Sequence, residues 1–140
     1  MNIVVDTNVL VSAVLWRGVP FQALKFILEK HSLVQSQSTL EEFEKVIRRE
    51  KFRNILLKRS VTPEALLETL ILESKFYSIS GRSAAKARRI KIADQGDIIF
   101  LELAIEANAL FIVSGDKHLL DLREAGNTKI VSIKEFLASQ

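Results

Sequence analysis

Two short apolar runs, far apart in the chain, constrain the fold most. Residues 3–5 (IVV) and 110–113 (LFIV) are continuous apolar stretches rich in β-branched or bulky side chains. Such continuity is typical of strands that are covered on both faces, as in parallel sheets. Asp6 directly follows the first run, and Asp116 lies shortly after the second. We therefore expect two carboxylates at the carboxyl ends of buried parallel strands.

Strand and helix patterns alternate along the rest of the chain. Further strands are predicted at 32–36, 75–80 and 128–132, the last at an edge of the sheet. Helices are predicted at 8–15, 19–31, 38–52, 62–76, 94–109, 117–122 and 132–139, and residues 80–96 include a polar, basic connection. This alternation predicts a three-layer α/β/α fold with a central parallel sheet.

Polar residues at several helix starts match capping patterns. Ser38 and Thr39 each precede a glutamate by three residues, which is the capping-box spacing. Thr62 is the predicted N-cap of its helix because proline follows it, and Ser132 is the predicted N-cap of the last helix.

Length and composition limit the class of protein. A chain of 140 residues is expected to form one domain, residues 1–140, with a single core. The absence of cysteine excludes disulfides, thiolate metal sites and thiol nucleophiles. No signal peptide or apolar run of membrane-spanning length is visible, so we expect a cytoplasmic protein without membrane association.

Basic residues are concentrated in two stretches, although the net charge is only +3. The stretches 45–59 and 81–91 form either a solvated surface or a track for nucleic-acid phosphates. Phe52 or Trp16 could stack on a base, although each could equally belong to the core. The candidate RNA-binding residues are Arg48, Arg49, Lys51, Arg53, Arg88, Arg89 and Lys91.

Further acids are expected beside Asp6 and Asp116. In a parallel sheet the following helices begin at the carboxyl edge, so Asp94, Asp97 and Glu41 or Glu42 can reach the same edge. Taken singly, each acid could merely stabilise a helix start, and Asp6 could simply cap the next helix. Together their repulsion calls for a divalent cation, and an all-oxygen ligand set favours Mg²⁺ or Mn²⁺.

Three stretches resemble the PIN-domain ribonucleases, specifically the PIN proteins identified as toxins of prokaryotic toxin–antitoxin pairs. The stretches are VVDTNVLVSAVL, STLEEFEKVIRREKF and DQGDIIFLELAIEANALFIVSGDKHLL, and together the resemblance covers nearly the whole chain. It implies a PIN fold and an endoribonuclease that hydrolyses single-stranded RNA with Mg²⁺ or Mn²⁺. It also implies an antitoxin partner and a homodimer.

The resemblance also implies roles for particular acids. Asp6, Asp97 and Asp116 are similar to metal-binding acids, and Glu42 rather than Glu41 is similar to the remaining catalytic acid.

Two further residues are similar to supporting positions in this family, and a third is predicted to support the site. Asn8 matches a residue that supports the first acid, Ser114 matches a hydroxyl beside the last acid, and Asp94 is a supporting acid. Relatives commonly have more acids within the DQGD stretch and often another acid where His118 stands, so one or two metal ions are compatible with the pattern.

Two alternative functions remain open from the sequence. A PIN fold could act mainly by binding a protein or RNA, with weak or no nuclease activity. A metal-dependent phosphatase is the other alternative, but the haloacid-dehalogenase pattern requires a second acid where this chain has Asn8.

Overall fold

The two apolar runs pair with each other at the centre of a six-stranded sheet. The computed structural model describes all 140 residues. Its strands are β1 (Asn2–Val5), β2 (Ser32–Gln35), β3 (Lys75–Phe76), β4 (Phe111–Val113), β5 (Glu124–Ala125) and β6 (Thr128–Val131). The strand order is β3-β2-β1-β4-β6-β5, and all pairs are parallel except β5 with β6. The predicted parallel sheet is confirmed, with one antiparallel strand at its edge.

Nine α-helices surround this sheet. They are α1 (Thr7–Leu15), α2 (Val19–Lys30), α3 (Gln37–Ile47), α4 (Arg53–Lys58), α5 (Pro63–Glu73), α6 (Gly81–Arg88), α7 (Ile98–Glu106), α8 (Lys117–Leu122) and α9 (Ile133–Ala138). Short 3₁₀ turns at Glu50–Phe52 and Gln95–Asp97 precede α4 and α7. No single helix is long and apolar enough to span a membrane; only α1 and α2 taken together, bent by 102°, reach that length and composition.

Side-chain alternation along β1 divides the core into two halves. Ile3 and Val5 pack with α1, α2, α3 and α9, whereas Val4 packs on the opposite face with α7 and α8. All three side chains are at least 97% buried. The apolar run is therefore continuous because both faces of its strand are covered, and the predicted three-layer α/β/α architecture is confirmed.

Each of the four longer parallel strands is followed by a helix that begins at the carboxyl edge of the sheet. β1, β2, β4 and β6 lead into α1, α3, α8 and α9, whose N-caps are Asp6, Ser36, Asp116 and Ser132. Each of these side chains accepts a hydrogen bond from a backbone N–H in the first turn of its helix. Helix starts with their polar caps therefore line one edge of the sheet.

The predicted cap of α3, Ser38 or Thr39, is wrong by two or three residues. Ser36, not Ser38, is the N-cap, and the Thr39 side chain returns the capping-box bond by accepting from the Ser36 N–H at 2.9 Å. The sequence SQST offers several residues with capping side chains, and the end of β2 decides which of them becomes the cap. The predictions of Thr62 and Ser132 as N-caps are confirmed.

Several predicted boundaries also change. The helix expected at 38–52 ends at residue 47, and a 3₁₀ turn and α4 follow. Part of the expected connection at 80–96 forms α6, whose buried Ser83 and Ala87 are too small to produce a clear apolar pattern. The strand expected at 75–80 has only two residues. β6 is not an edge strand because β5 covers its outer side.

Replacing Leu101 with alanine tests the core on the α7 side. Leu101 is fully buried, so its truncation removes apolar contacts and leaves a cavity. We expect Leu101→Ala to lower the free energy of unfolding by about 2–5 kcal/mol in urea denaturation. The matched control is Leu57→Ala, because Leu57 is 69% exposed. A loss for Leu101→Ala no larger than that of the control would contradict the described core.

Candidate active site

Asp6 is held in place by groups from the end of one neighbouring strand and from one helix. Its backbone N–H donates to the Val113 carbonyl at 3.0 Å, which continues the pairing of β1 with β4. One carboxylate oxygen accepts from the Val9 N–H at 2.9 Å. The other accepts from the Ser114 hydroxyl and from the Gly115 N–H, the latter at 3.2 Å. Asp6 thus caps α1 and binds the end of β4 at the same time.

Burial and hydrogen bonding act in opposite directions on the pKa of Asp6. The side chain is only 4% exposed, and this desolvation raises the pKa because the charged form loses water. Hydrogen bonds from Ser114, Val9 and Gly115 lower it, and the charge of Asp116 raises it. The net pKa lies above the ordinary value, since burial is the largest contribution.

Ser114 connects Asp6 to the second strand-end acid, Asp116. The fully buried Ser114 hydroxyl donates to Asp6 and accepts from the Asp116 N–H at 2.9 Å. Asp116 in turn accepts from the His118 N–H at 2.8 Å and is the N-cap of α8. Two acids separated by 110 positions in the chain are therefore linked through one hydroxyl.

Asp97 is brought to these acids by the start of α7. The preceding turn is shaped by Asp94, whose side chain accepts from the Gly96 N–H at 2.8 Å. Asp97 is 9% exposed, and its Oδ2 atom is buried without a hydrogen-bond partner. Burial is the largest cause that raises its pKa to about 7, followed by the adjacent Asp116 carboxyl group, to which a protonated Asp97 can donate a hydrogen bond. The charges of Asp116, Asp94 and Asp6 add to this effect.

The acids surround a cleft of about 300 Å³, which we call the acidic cleft. Its twelve lining residues are Asp6, Thr7, Asn8, Glu42, Lys45, Val46, Arg49, Asp94, Gly96, Asp97, Phe100 and Asp116. All four acids singled out as catalytic from the sequence lie in this set, together with the supporting acid Asp94. Glu41, the alternative to Glu42, lies outside it.

The two other supporting residues differ in their contacts. Ser114 makes the hydrogen bonds that hold Asp6 and Asp116. Asn8 is exposed and lines the acidic cleft, but the side-chain hydrogen bond to Asp6 comes from Ser114. The side-chain hydrogen bond to Asp6 therefore comes from the residue directly after β4 and not from the residue two positions after Asp6.

Few of the candidate RNA-binding cations lie at the acidic cleft. Arg49 lines it, whereas Arg48 forms ion pairs with Glu44 at 3.1 Å and Glu64 at 3.2 Å. The other five candidates lie outside the lining of the cleft. Arg53 pairs with Glu50 at 3.6 Å, and Lys51 lies over the Phe52 ring. The remaining three are exposed, namely Arg88, Arg89 and Lys91.

Lys45 lines the acidic cleft but was not among the individual site residues singled out from the sequence. It stands three residues after Glu42 on the same side of α3, and Arg49, seven residues after Glu42, would share that side in the predicted helix 38–52 but lies just beyond the end of α3 in the structure. The three-residue spacing from Glu42 was the sequence signal that could have singled out Lys45.

The residues present fit a hard divalent cation by their chemistry. No group of three or more His, Cys, Asp or Glu side chains is arranged to hold one ion in this conformation. The donors are nevertheless all carboxylate oxygens, the ligands preferred by Mg²⁺ and Mn²⁺. Asp97 Oδ2 is buried without a partner, which is costly unless a proton or cation compensates it.

Fold and site together define an α/β protein with an acidic cleft at the carboxyl edge of a parallel sheet, where ligands bind in this architecture. A family model of the PIN domain matches residues 2–118. The chain therefore belongs to the PIN domain family, whose members are generally nucleases.

Solved structures share this fold at low sequence identity. VapBC2 from Rickettsia felis, solved bound to a DNA fragment from their promoter, aligns with a TM-score of 0.69 and 14% identity over 94% of this chain and 98% of that chain. FitAcB from Neisseria gonorrhoeae aligns with a TM-score of 0.61 and 19% identity, with the same coverage of 94% and 98%. No curated protein matches the sequence significantly.

The raised pKa of Asp97 predicts how stability depends on pH. Because the folded protein holds this proton up to a pKa of about 7 and the unfolded chain releases it near 3.8, the folded state binds more protons between these values. The free energy of unfolding should therefore fall as pH rises from 4 to 7 when a chelator removes divalent cations. Thermal unfolding followed by circular dichroism across this range measures the effect.

Asp97→Asn should flatten this pH profile and raise the melting temperature at pH 8, because the buried charge is removed. Asp121→Asn is the matched control, since Asp121 is exposed on α8 and lies outside the acidic cleft. A profile for Asp97→Asn as steep as that of the unsubstituted protein would contradict the assignment of the effect to Asp97.

Proposed function

We propose that this protein is a Mg²⁺- or Mn²⁺-dependent endoribonuclease and the toxin component of a type II toxin–antitoxin system. The observation that carries the nuclease proposal is the convergence of Asp6, Asp97 and Asp116 on one cleft, with Asp97 Oδ2 buried and partnerless. Membership of the PIN domain family supports it. The toxin assignment rests on the resemblance to PIN toxins and is supported by the shared fold with VapBC2 and FitAcB.

Asp6, Asp97 and Asp116 would hold the divalent cation in the proposed reaction. When bound, the cation lowers the pKa of a water molecule and offsets negative charge on the phosphate that is attacked. The Ser114 hydroxyl and the Val9 and Gly115 N–H groups keep the Asp6 carboxylate oriented toward this site.

Glu42 and the cations beside it have separate tasks in this proposal. Glu42 reaches the cleft from α3, where it would orient the attacking water or bind the cation through water. Lys45 and Arg49 line the same cleft without an ion-pair partner in the structure, so both are available to the RNA phosphates. Glu42 and Lys45 on α3, with Arg49 just after it, thus bring an acid and two cations to the same cleft.

Substitution of the strand-end acids tests the nuclease proposal. We expect Asp6→Asn and Asp116→Asn each to reduce metal-dependent cleavage of single-stranded RNA at least 100-fold, roughly the effect of removing one charged catalytic group. Asparagine can still cap a helix through its side-chain oxygen, and circular dichroism checks that each variant is folded before its activity is compared. Asp121→Asn, which alters an exposed acid outside the cleft, should cleave normally. Gel assays with Mn²⁺, Mg²⁺ and chelator measure the rates.

Four results would contradict this proposal. Full activity in both variants would exclude the acidic cleft as the catalytic site. Products with 2′,3′-cyclic phosphate ends would exclude hydrolysis by activated water. Binding of RNA without any cleavage would favour the alternative of a PIN-fold binding module. Hydrolysis of a phosphomonoester in place of RNA would favour a phosphatase.

Arg48 and Arg49 provide a matched test of phosphate binding. Arg49→Gln should raise KM for RNA several-fold and reduce the slope of log affinity against log salt by about 0.7, since one phosphate contact is lost. Arg48→Gln should change KM much less, because Arg48 is engaged with Glu44 and Glu64. Steady-state cleavage at several salt concentrations distinguishes the two. Equal effects of both substitutions would show that general positive charge, not position, determines RNA binding.

A protein partner and a second copy of the chain complete the proposal. An antitoxin segment could cover the acidic cleft and place Arg or Lys side chains against its carboxylates. For a homodimer, the exposed apolar side chains of Trp16 and Val19 lie at the junction of α1 and α2. Ala23 and Ile27 of α2 are buried within the chain and cannot contribute to such a surface.

A further inference from the structure

A second groove opens at the same edge of the sheet, beyond β2. It has a volume of about 510 Å³ and lies between the start of α3 and residues 76–79, which are the last residue of the short strand β3 and the three that follow it. We call it the aromatic groove because Phe76 and Tyr77 form part of its wall. None of its lining residues belongs to the acidic cleft.

We propose that the aromatic groove binds an unpaired base of the RNA strand whose phosphate lies in the acidic cleft. This inference rests on the proposed function in one respect, namely that RNA is the substrate. It adds a binding subsite that contacts a neighbouring nucleotide and thereby selects for single-stranded RNA.

The two sites are neighbours along α3. Ser38 lines the aromatic groove, and Glu42 lines the acidic cleft one helical turn later on the same side of the helix. One turn advances the helix by about 5.4 Å. In the sheet, β3 is separated from β1 by β2 alone, which places the end of β3 about 10 Å from the end of β1. A nucleotide adjacent to the cleaved bond can span this distance.

The wall of the groove combines an accessible ring with polar side chains. Phe76 is 42% exposed and is the only phenylalanine among the exposed large hydrophobic residues. Gln37, Ser38 and Ser78 are exposed beside it. Proteins recognise unpaired RNA bases by stacking them on aromatic rings and by hydrogen bonding to their edges. The exposed Phe76 ring and the polar side chains beside it match these two modes of base recognition.

Tyr77 has a structural role that makes Phe76 the better residue to test. The Tyr77 hydroxyl accepts a hydrogen bond from the Asn2 side chain at 2.8 Å, and the Lys75 ammonium lies 5.4 Å from the centre of its ring. Tyr77 therefore anchors the chain after β3 to the start of β1. Removing it would disturb the sheet, whereas truncation of Phe76 alters mainly the groove surface.

A protein segment added to the edge of β3 is the competing occupant. β3 has only two residues, so it offers few backbone groups to an incoming strand. The groove instead presents an exposed ring beside polar side chains, and these groups suit a base better than an added strand.

The test measures RNA binding in the Asp116→Asn background, in which hydrolysis is suppressed and Mg²⁺ can be present. Fluorescence anisotropy of a short labelled single-stranded RNA of mixed sequence reports the Kd. We expect Phe76→Ala to weaken binding about 5- to 20-fold, the lower part of the effect of losing one base–aromatic stack. Phe76→Trp should retain affinity. Leu72→Ala is the matched control, since Leu72 is 75% exposed and lies outside the groove.

An abasic strand of the same length separates base contacts from backbone contacts. The Asp116→Asn protein should bind this abasic strand equally well with and without Phe76→Ala. The inference is overturned if Phe76→Ala binds RNA as Leu72→Ala does, if the abasic strand shows the same loss, or if the background protein binds no RNA. It is also overturned if Phe76→Ala changes only the molar mass by light scattering, which would assign the groove to a protein contact.

Cleavage by the unsubstituted protein is measured separately, so the two proposals can fail independently. RNA cleavage combined with unchanged RNA binding by Phe76→Ala would contradict the base-binding role of the groove but not the nuclease proposal. Base-dependent binding through Phe76 without any cleavage would contradict the nuclease proposal and support the groove as an RNA-binding site.

Discussion

The hydrogen bonds of one buried carboxylate hold the functional edge of this protein together. Asp6 accepts from the first turn of α1, from the Ser114 hydroxyl and from the Gly115 N–H, so it joins the ends of β1 and β4 to a helix start. The same hydroxyl accepts from the N–H of Asp116. The positions of the strand-end acids are therefore coupled, and Asp97 is placed against them by α7.

This arrangement opposes stability in the absence of a cation. Two of the acids are buried and have raised pKa values, and that of Asp97 reaches about 7 because burial and its acidic neighbours both disfavour its charge. Nearby Lys45 and Arg49 are not paired with these acids, whereas Arg48, one position away from Arg49, is paired with Glu44 and Glu64. Unneutralised charge of both signs is thus concentrated at one edge, where it is available to ligands.

Much of the fold was predictable because its signals are local. Continuous apolar strands, helical periodicity and the caps at Thr62 and Ser132 depend on neighbouring residues, and all reappear in the structure. The two-residue β5 carries too little pattern to be recognised, and α6 buries residues too small to mark a helix face. Within SQST, the cap of α3 depends on where β2 ends, which is a property of the sheet.

For the site, the sequence by itself determined that acids follow the buried strands and stand at helix starts, and its resemblance to PIN proteins singled out Asp6, Glu42, Asp97 and Asp116. Only the tertiary structure decided that Ser114, not Asn8, holds Asp6, and that Arg49 reaches the acidic cleft while Arg48 does not. The physical reason is that strand ends and helix starts follow from local chemistry, whereas hydrogen bonds and ion pairs between distant segments depend on how those segments pack.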